Sequence, residues 1–427
     1  MIFDVRRKRP LLQVQNKQDV KQNLLQAIIF TVIGLLIGVS TIKGQSISDL
    51  GYIYGVITTD SDKTYEGYMR WGKEEVAWHD VFNSTKRKNK HKKPSEDKSL
   101  FKDLDWNIGS LWSNNYGGST RSFACLFGDI DRLELRGSER VDVYFKNGEM
   151  IEVDGGSNDI GERIVLHDAE QVKIQLSWKN IDLIQFKSPP HGSMPDYDLA
   201  LYGILETRKG AELEGYIKWD IDERLTTDIL DGHNCCYKDE MPFAKIIKIR
   251  SEGSSSLVTL NNDETIEMSG TNDVNKGNRG IGIYVEGVGS IEIPWTEFKQ
   301  VSFENRTIAG PQYDFFQSSD RLEGVLETYD EDEYEGYIVF DMDEMYPAEM
   351  LDGDDGNIEY QIPFRNIKKI IPKNDDYSIV VLHNGDEILL GDTQDVSDNN
   401  DGIIVVGKNK ENVHIDWDEV SSITFKK

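Results

Sequence analysis

From about residue 50 to the C-terminus, apolar and polar side chains alternate along short runs rich in Val, Ile, Tyr, Trp and Thr. Alternation with a period of two puts one set of side chains on each face of an extended chain. Clusters such as KNGE (146–149), LNND (260–263) and HNGD (383–386) interrupt the runs at turn-forming residues. No segment of ten or more residues has the three-to-four spacing of an amphipathic helix. The pattern predicts an all-β protein of short strands joined by tight turns.

The pattern also repeats. Glu66-Gly67-Tyr68 recurs as Glu214-Gly215-Tyr216 and as Glu335-Gly336-Tyr337. Each copy has a Gly twelve residues earlier (Gly55, Gly203, Gly324), then a Thr (Thr59, Thr207, Thr328), and an aromatic four residues after the central Gly (Trp71, Trp219, Phe340). A second half follows in each copy, starting after Phe127, Phe243 or Phe364, passing SND, TND or TQD (157–159, 271–273, 393–395), and closing on Trp178/Phe186, Trp295/Phe303 or Trp417/Phe425. Both halves share an ending, seen in MPFAKIIKI (241–249), IPFRNIKKI (362–370), IPWTEFKQVSF (293–303) and IDWDEVSSITF (415–425). Apolar residues returning at three-residue steps predict a strand, one 3₁₀ turn and a strand. Three tandem modules are expected, at 50–188, 197–305 and 318–427, each of two five-stranded small barrels, six in all. The glycines at 67, 215 and 336 are expected at bulges that bend the strands for closure, the repeated aromatics in cores and seams.

The stretch GILETRKGAELEGYIKWDIDERLTTDILDG (203–232) resembles the first motif of Sm-like or Src-homology-like small barrels, and IPFRNIKKI is similar to the way such barrels and PRC-barrels close. The resemblance covers one strand-turn-strand unit per copy and implies a fold, not an activity. Basic residues matching the RNA-binding positions of the Sm family are missing from this stretch.

The formal net charge of −28 and pI near 4.7 argue against nucleic acid as the main partner, because binding phosphates needs clustered Lys and Arg. The third module, with 28 Asp and Glu against 9 Lys and Arg, holds a net −19 of that charge. Residues 1–44 differ from everything after them. RRKR (6–9) precedes the apolar run LLQAIIFTVIGLLIGV (24–39), and small residues near Gly44 offer a cleavage point, the pattern of a signal peptide or an uncleaved signal anchor. The positive charges ahead of the run place the rest outside the cytoplasm, in the periplasm, at the cell surface or secreted. The first module carries a basic insertion at 83–122, including KRKNKHKK (86–93), which reads as a solvated loop, or else as a docking site for an acidic surface or for the acidic third module. Three cysteines are too few for a disulfide scaffold.

Two sets of residues are candidates for ligand chemistry. The acidic turns WDIDE (219–223) and FDMDE (340–344) put Asp220, Asp222 and Glu223, and Asp341, Asp343 and Glu344, near LDG (230–232) and LDGDDG (351–356). Calcium prefers such oxygen-rich loops, although the spacing is not that of an EF-hand and the first module has GKEE (72–75) instead. The second set is the TND-type motif: Asn158 and Asp159, Asn272 and Asp273, Gln394 and Asp395, whose plainest role is to bond their own backbone in a turn. His233-Asn234-Cys235-Cys236 lacks a second ligand pair at metal-binding spacing. The seven His do not recur at equivalent positions, and no nucleophile elbow, phosphate loop or zincin helix is present. The expectation is therefore an exported, non-enzymatic binding or structural protein of the envelope, recognising an envelope protein or glycan, with no cofactor other than calcium. An envelope hydrolase with a carboxylate site between barrels and a calcium-stabilised adhesin are the alternatives.

Overall fold

A computed structural model describes residues 50–86, 121–155, 159–168, 172–191, 199–234, 237–304, 309–316, 321–407 and 412–427. The apolar run at 24–39, Asn158, the Cys235-Cys236 pair and the middle of the basic insertion lie outside them. Among the described residues the protein is all-β, with two large antiparallel sheets of ten and twenty strands.

In the middle module the ten strands are Tyr202–Thr207, Glu212–Trp219, Ile229–Asn234, Tyr237–Pro242, Ile246–Ser251, Ser255–Leu260, Thr265–Ser269, Ile281–Val285, Gly289–Ile293 and Phe298–Phe303. They pair in the order fourth, third, seventh, sixth, fifth, tenth, first, second, eighth, ninth. The same order recurs in the first and third modules. One five-strand set, strands three to seven, is thus inserted between the second and eighth strands of the other, and the two do not follow one another as the repeat pattern suggests. The first hairpin joins strands eight, nine and ten; the central hairpin (strands six and seven) joins three, four and five. Alternation fixes which face a strand buries but not which strand it joins, so the exchange leaves no trace in the pattern.

Five of the six shared endings form as expected, and at Trp295 a hydrogen-bonded turn takes the place of the 3₁₀ segment. One 3₁₀ turn precedes the closing strand at Phe127–Asp129, Trp178–Asn180, Phe243–Lys245, Phe364–Asn366 and Trp417–Glu419. This short link joins the two outermost strands of each five-strand set, fourth to fifth or ninth to tenth. The aromatics leading these turns meet on the second strand. Trp71 lies 5.2 Å from Phe127 and 5.5 Å from Trp178, Trp219 lies 6.3 Å from Phe243 and 6.1 Å from Trp295, and Phe340 lies 5.2 Å from Phe364 and 5.8 Å from Trp417, ring centre to ring centre. All three second-strand aromatics are fully buried. One aromatic knot per module ties its two sets together.

The repeated glycines do not form bulges. Gly55 pairs directly with Gly67, Gly203 with Gly215, and Gly324 with Gly336. A Cβ on Gly67, Gly215 or Gly336 would stand 2.1, 2.0 or 2.2 Å from the carbonyl oxygen of His167, Tyr284 or Val406, the residue on the eighth strand opposite the Tyr that follows each glycine. Close backbone approach demands glycine here. The register breaks lie instead at the repeated threonines, between Thr58/Thr59, Glu206/Thr207 and Glu327/Thr328. There each Thr Oγ1 accepts the N–H of the residue four positions on, at 3.1–3.2 Å, and so closes the first hairpin.

Middle and third modules share one sheet because the ninth strand of the former pairs with the fourth strand of the latter (Ile358–Pro363), with Ile291 opposite Tyr360. The first module meets both through charge. Arg70 pairs with Asp228 at 3.0 Å, and Arg224 pairs with Asp80, so cations and acids answer each other reciprocally across the seam. Asp80, Asp228 and Glu349 each also accept two backbone N–H groups of their own turn at 2.7–2.9 Å. His79 is buried between the rings of Tyr216 and Tyr284, and burial drives its pKa down to about 3.

Candidate functional site

The turn after the second strand starts with residues in the left-handed region: Gly72 in the first module, Asp220 and Ile221 (φ 45° and 70°) in the second, Asp341 and Met342 (φ 45° and 55°) in the third. This twist sends the following acid inward. Glu75, Glu223 and Glu344 occupy the equivalent position, and each senses the negative charge of the TND-type aspartate of its own module, Asp159, Asp273 or Asp395. The two candidate sets are therefore one site repeated three times, a Glu from the acidic turn with an Asp from the distant TND-type loop.

The aspartates do not cap their own turn as the local pattern suggests. Asp159, Asp273 and Asp395 accept the N–H of Asn83, Asp231 and Asp352 on the third strand at 2.5, 2.7 and 2.7 Å. Trp71 and Trp219 fasten the same loops from inside, their indole N–H groups donating to the carbonyl oxygens of Asp159 and Asp273 at 2.8 and 3.0 Å. LDG (230–232) and the start of LDGDDG (351–356) belong to that third strand, not to a loop. Of the TND-type residues described, Asn272 and Gln394 face solvent, while Asp159 and Asp273 are buried and Asp395 is partly so.

Burial raises the carboxyl pKa values: Asp159 to about 7, Asp273 to about 6, Glu223 to about 9 with Asp222 and Asp273 adding to the shift. Glu75, Glu344 and Asp395 are pushed well above their ordinary range, again by burial first and neighbouring carboxylates next. Like charges gathered out of water hold protons or collect cations.

Each module recruits its cation differently. In the first, Glu75 receives Lys218 of the middle module at 3.3 Å. In the middle module the cation is local. The Arg279 N–H donates to Asp220 Oδ1 at 2.6 Å, and its guanidinium reaches Asp220 Oδ2 at 3.0 Å and Asp222 Oδ1 at 2.5 Å, with Asn272 donating to Asp220 as well. The third module has Asp401 where the middle one has Arg279; its N–H likewise donates to Asp341 Oδ1, at 2.5 Å. The missing guanidinium comes from the first module: Arg121 pairs with Asp341 at 2.9 Å and with Asp401. Lys86, also from the first module, lies 2.6 Å from Glu349, 3.1 Å from Asp343 and 3.6 Å from Glu344. Burial alone would lower the Lys86 pKa, but Asp343, Glu349 and Glu344 raise it.

No family model, no curated protein and no solved structure matches this chain. Asp220, Asp222 and Glu223 have carboxylate oxygens within 4.8 Å of one another, as do Asp341, Glu344 and Asp395. Asp343 is outside the second group, held by Lys86. Lys86 and Arg121 were hidden to sequence reasoning as individual residues. Their signal was the basic insertion, whose two flanks dock on the acidic third module.

Proposed function

We propose that this is an exported, non-enzymatic scaffold of the cell envelope, each five-strand set forming a small barrel, with recognition of an envelope protein or glycan by exposed loops. The observation that carries the reading is the use made of the carboxylates. The acids that would serve a hydrolase are committed to third-strand N–H groups, to turn caps and to cations of neighbouring modules, which welds the modules together. The rim above the middle module carries side chains that reach solvent: Asn272 and Arg279, the latter with 48% of its side chain exposed. A rigid body presenting polar loops is suited to recognition.

Purified full-length protein, sedimented with isolated envelope material and assayed in parallel on glycoside and ester substrates, tests this. Saturable binding weakened by Asn272→Ala with Arg279→Ala, without turnover, is the expected result. Turnover that disappears in Glu223→Gln would replace the scaffold reading with the hydrolase one.

A further inference from the structure

We infer that a calcium ion binds between Asp341, Glu344 and Asp395, bridging the acidic turn and the TND-type loop of the third module beneath its seam with the first. The three side chains come from positions far apart in sequence, and their oxygens lie within 4.8 Å of one another. Oxygens that close can share one cation, and three protein carboxylates suit calcium, which takes six to eight oxygen ligands, better than magnesium, which is usually held by one or two carboxylates and keeps several waters.

A second observation points to a missing ligand. Glu344 is only 7% exposed, and its Oε2 has no hydrogen-bond partner among the described residues. A buried carboxylate oxygen without a donor is costly, so something has to meet it. The local cations are engaged elsewhere. Lys86 stands closest to Glu349 and donates to the Asp343 carbonyl at 3.0 Å, touching only the other oxygen of Glu344, at 3.6 Å. Arg121 is spent on Asp341 and Asp401. Around two cations stand Asp341, Asp343, Glu344, Glu349, Asp395 and Asp401, an excess of negative charge that a divalent ion offsets.

The middle module differs in its cation, although Glu223 Oε2 there is likewise without a hydrogen-bond partner among the described residues. Its Asp220 and Asp222 are both held by Arg279, which occupies the place of a metal. In the third module Asp401 stands at that position, and Arg121, which brings a guanidinium in its place, meets Asp341 and Asp401, leaving the unpartnered oxygen of Glu344 to an ion. Water and backbone carbonyl oxygens would supply the remaining ligands. The inference is independent of the scaffold reading.

The test is calorimetric titration of chelator-treated full-length protein with calcium chloride, with thermal melts in millimolar Ca²⁺ and Mg²⁺. One tight calcium per chain and a rise of several degrees in Tm, larger for Ca²⁺ than for Mg²⁺, is expected. Glu344→Gln and Asp395→Asn should each remove both signals, and Asp220→Asn should keep them. No heat and no shift with the unmodified protein, a larger response to Mg²⁺, or an undiminished response in Asp395→Asn would each overturn the assignment. The wild-type titration and melts decide even if a variant does not fold.

Discussion

The middle and third modules solve one electrostatic problem in two ways. Both place an aspartate in the left-handed region, at Asp220 and Asp341, and both satisfy one of its oxygens with the N–H at the same later position, Arg279 or Asp401. The middle module then neutralises Asp220 and Asp222 chiefly with the side chain of that residue, which is half-exposed, the exposed Lys73 of the first module only reaching Asp222 at 3.7 Å. The third carries an aspartate there and depends on Lys86 and Arg121 from the first module, with only 8% and 14% of their side chains exposed. A cation within the module makes a module; a cation from outside makes an assembly.

Removing the cations separates the two cases. Lys86→Met should cost about 3–5 kcal/mol in urea unfolding, because it strands buried Asp343, Glu344 and Glu349. Arg279→Met should cost less, about 1–2 kcal/mol, since Arg279 is half-exposed and buried Asp220 keeps the backbone N–H at 279 and the amide of Asn272 as donors. Equal losses would erase the distinction. Gly215→Ala and Gly336→Ala come next, each expected to cost about 1–3 kcal/mol as the new Cβ pushes on the carbonyl of Tyr284 or Val406. Here the two modules should respond alike, and a harmless Gly336→Ala would mean that close approach is not what glycine serves.

The pH dependence sharpens the comparison further. Glu223 has a folded pKa raised to about 9 from 4.5, chiefly by burial. The folded state therefore holds a proton that the unfolded state has lost, and this contribution to stability, complete below about pH 4.5, drains away as pH rises through 9. Thermal melts across that range should flatten in Glu223→Gln, and an unchanged profile would move the titration elsewhere. The smallest effect is expected at Ile221, a β-branched residue at φ 70°. Ile221→Gly should add about 1 kcal/mol in chemical denaturation by relieving the backbone. Met342→Gly should instead destabilise, because Met342 is buried.

Much of this was legible in the sequence. Alternation gave the strands, and the Phe- or Trp-led endings gave the 3₁₀ turns, since both are local patterns. The repeated Gly, Thr and aromatic positions were found with the wrong mechanism for the glycines, because a bulge and a close carbonyl make the same demand on composition. What stayed hidden was partnership. Glu223 and Asp273 are fifty residues apart, and only the pairing of second with eighth strand, Trp219 opposite Ile281, brings their segments together. The role of Lys86 and Arg121 depends on which module lies beside them, a property of packing and not of any one segment.

The insertion of one strand set within the other also sets a schedule. Gly203, on the first strand of the middle module, pairs with Phe303, a hundred residues later. The first hairpin of a module is made early in synthesis, yet its neighbours are nearly the last part of that module to emerge. Until then it has an uncovered glycine-rich edge, and the central hairpin has to settle on strands three to five without it. Closing loops of that length delays folding. A nascent module is accordingly committed only when its final strand arrives, so a chain truncated before Phe298 should lose the early hairpin as well as the late strand, and a pulse-labelled ribosome-bound series should gain protease resistance in module-sized steps.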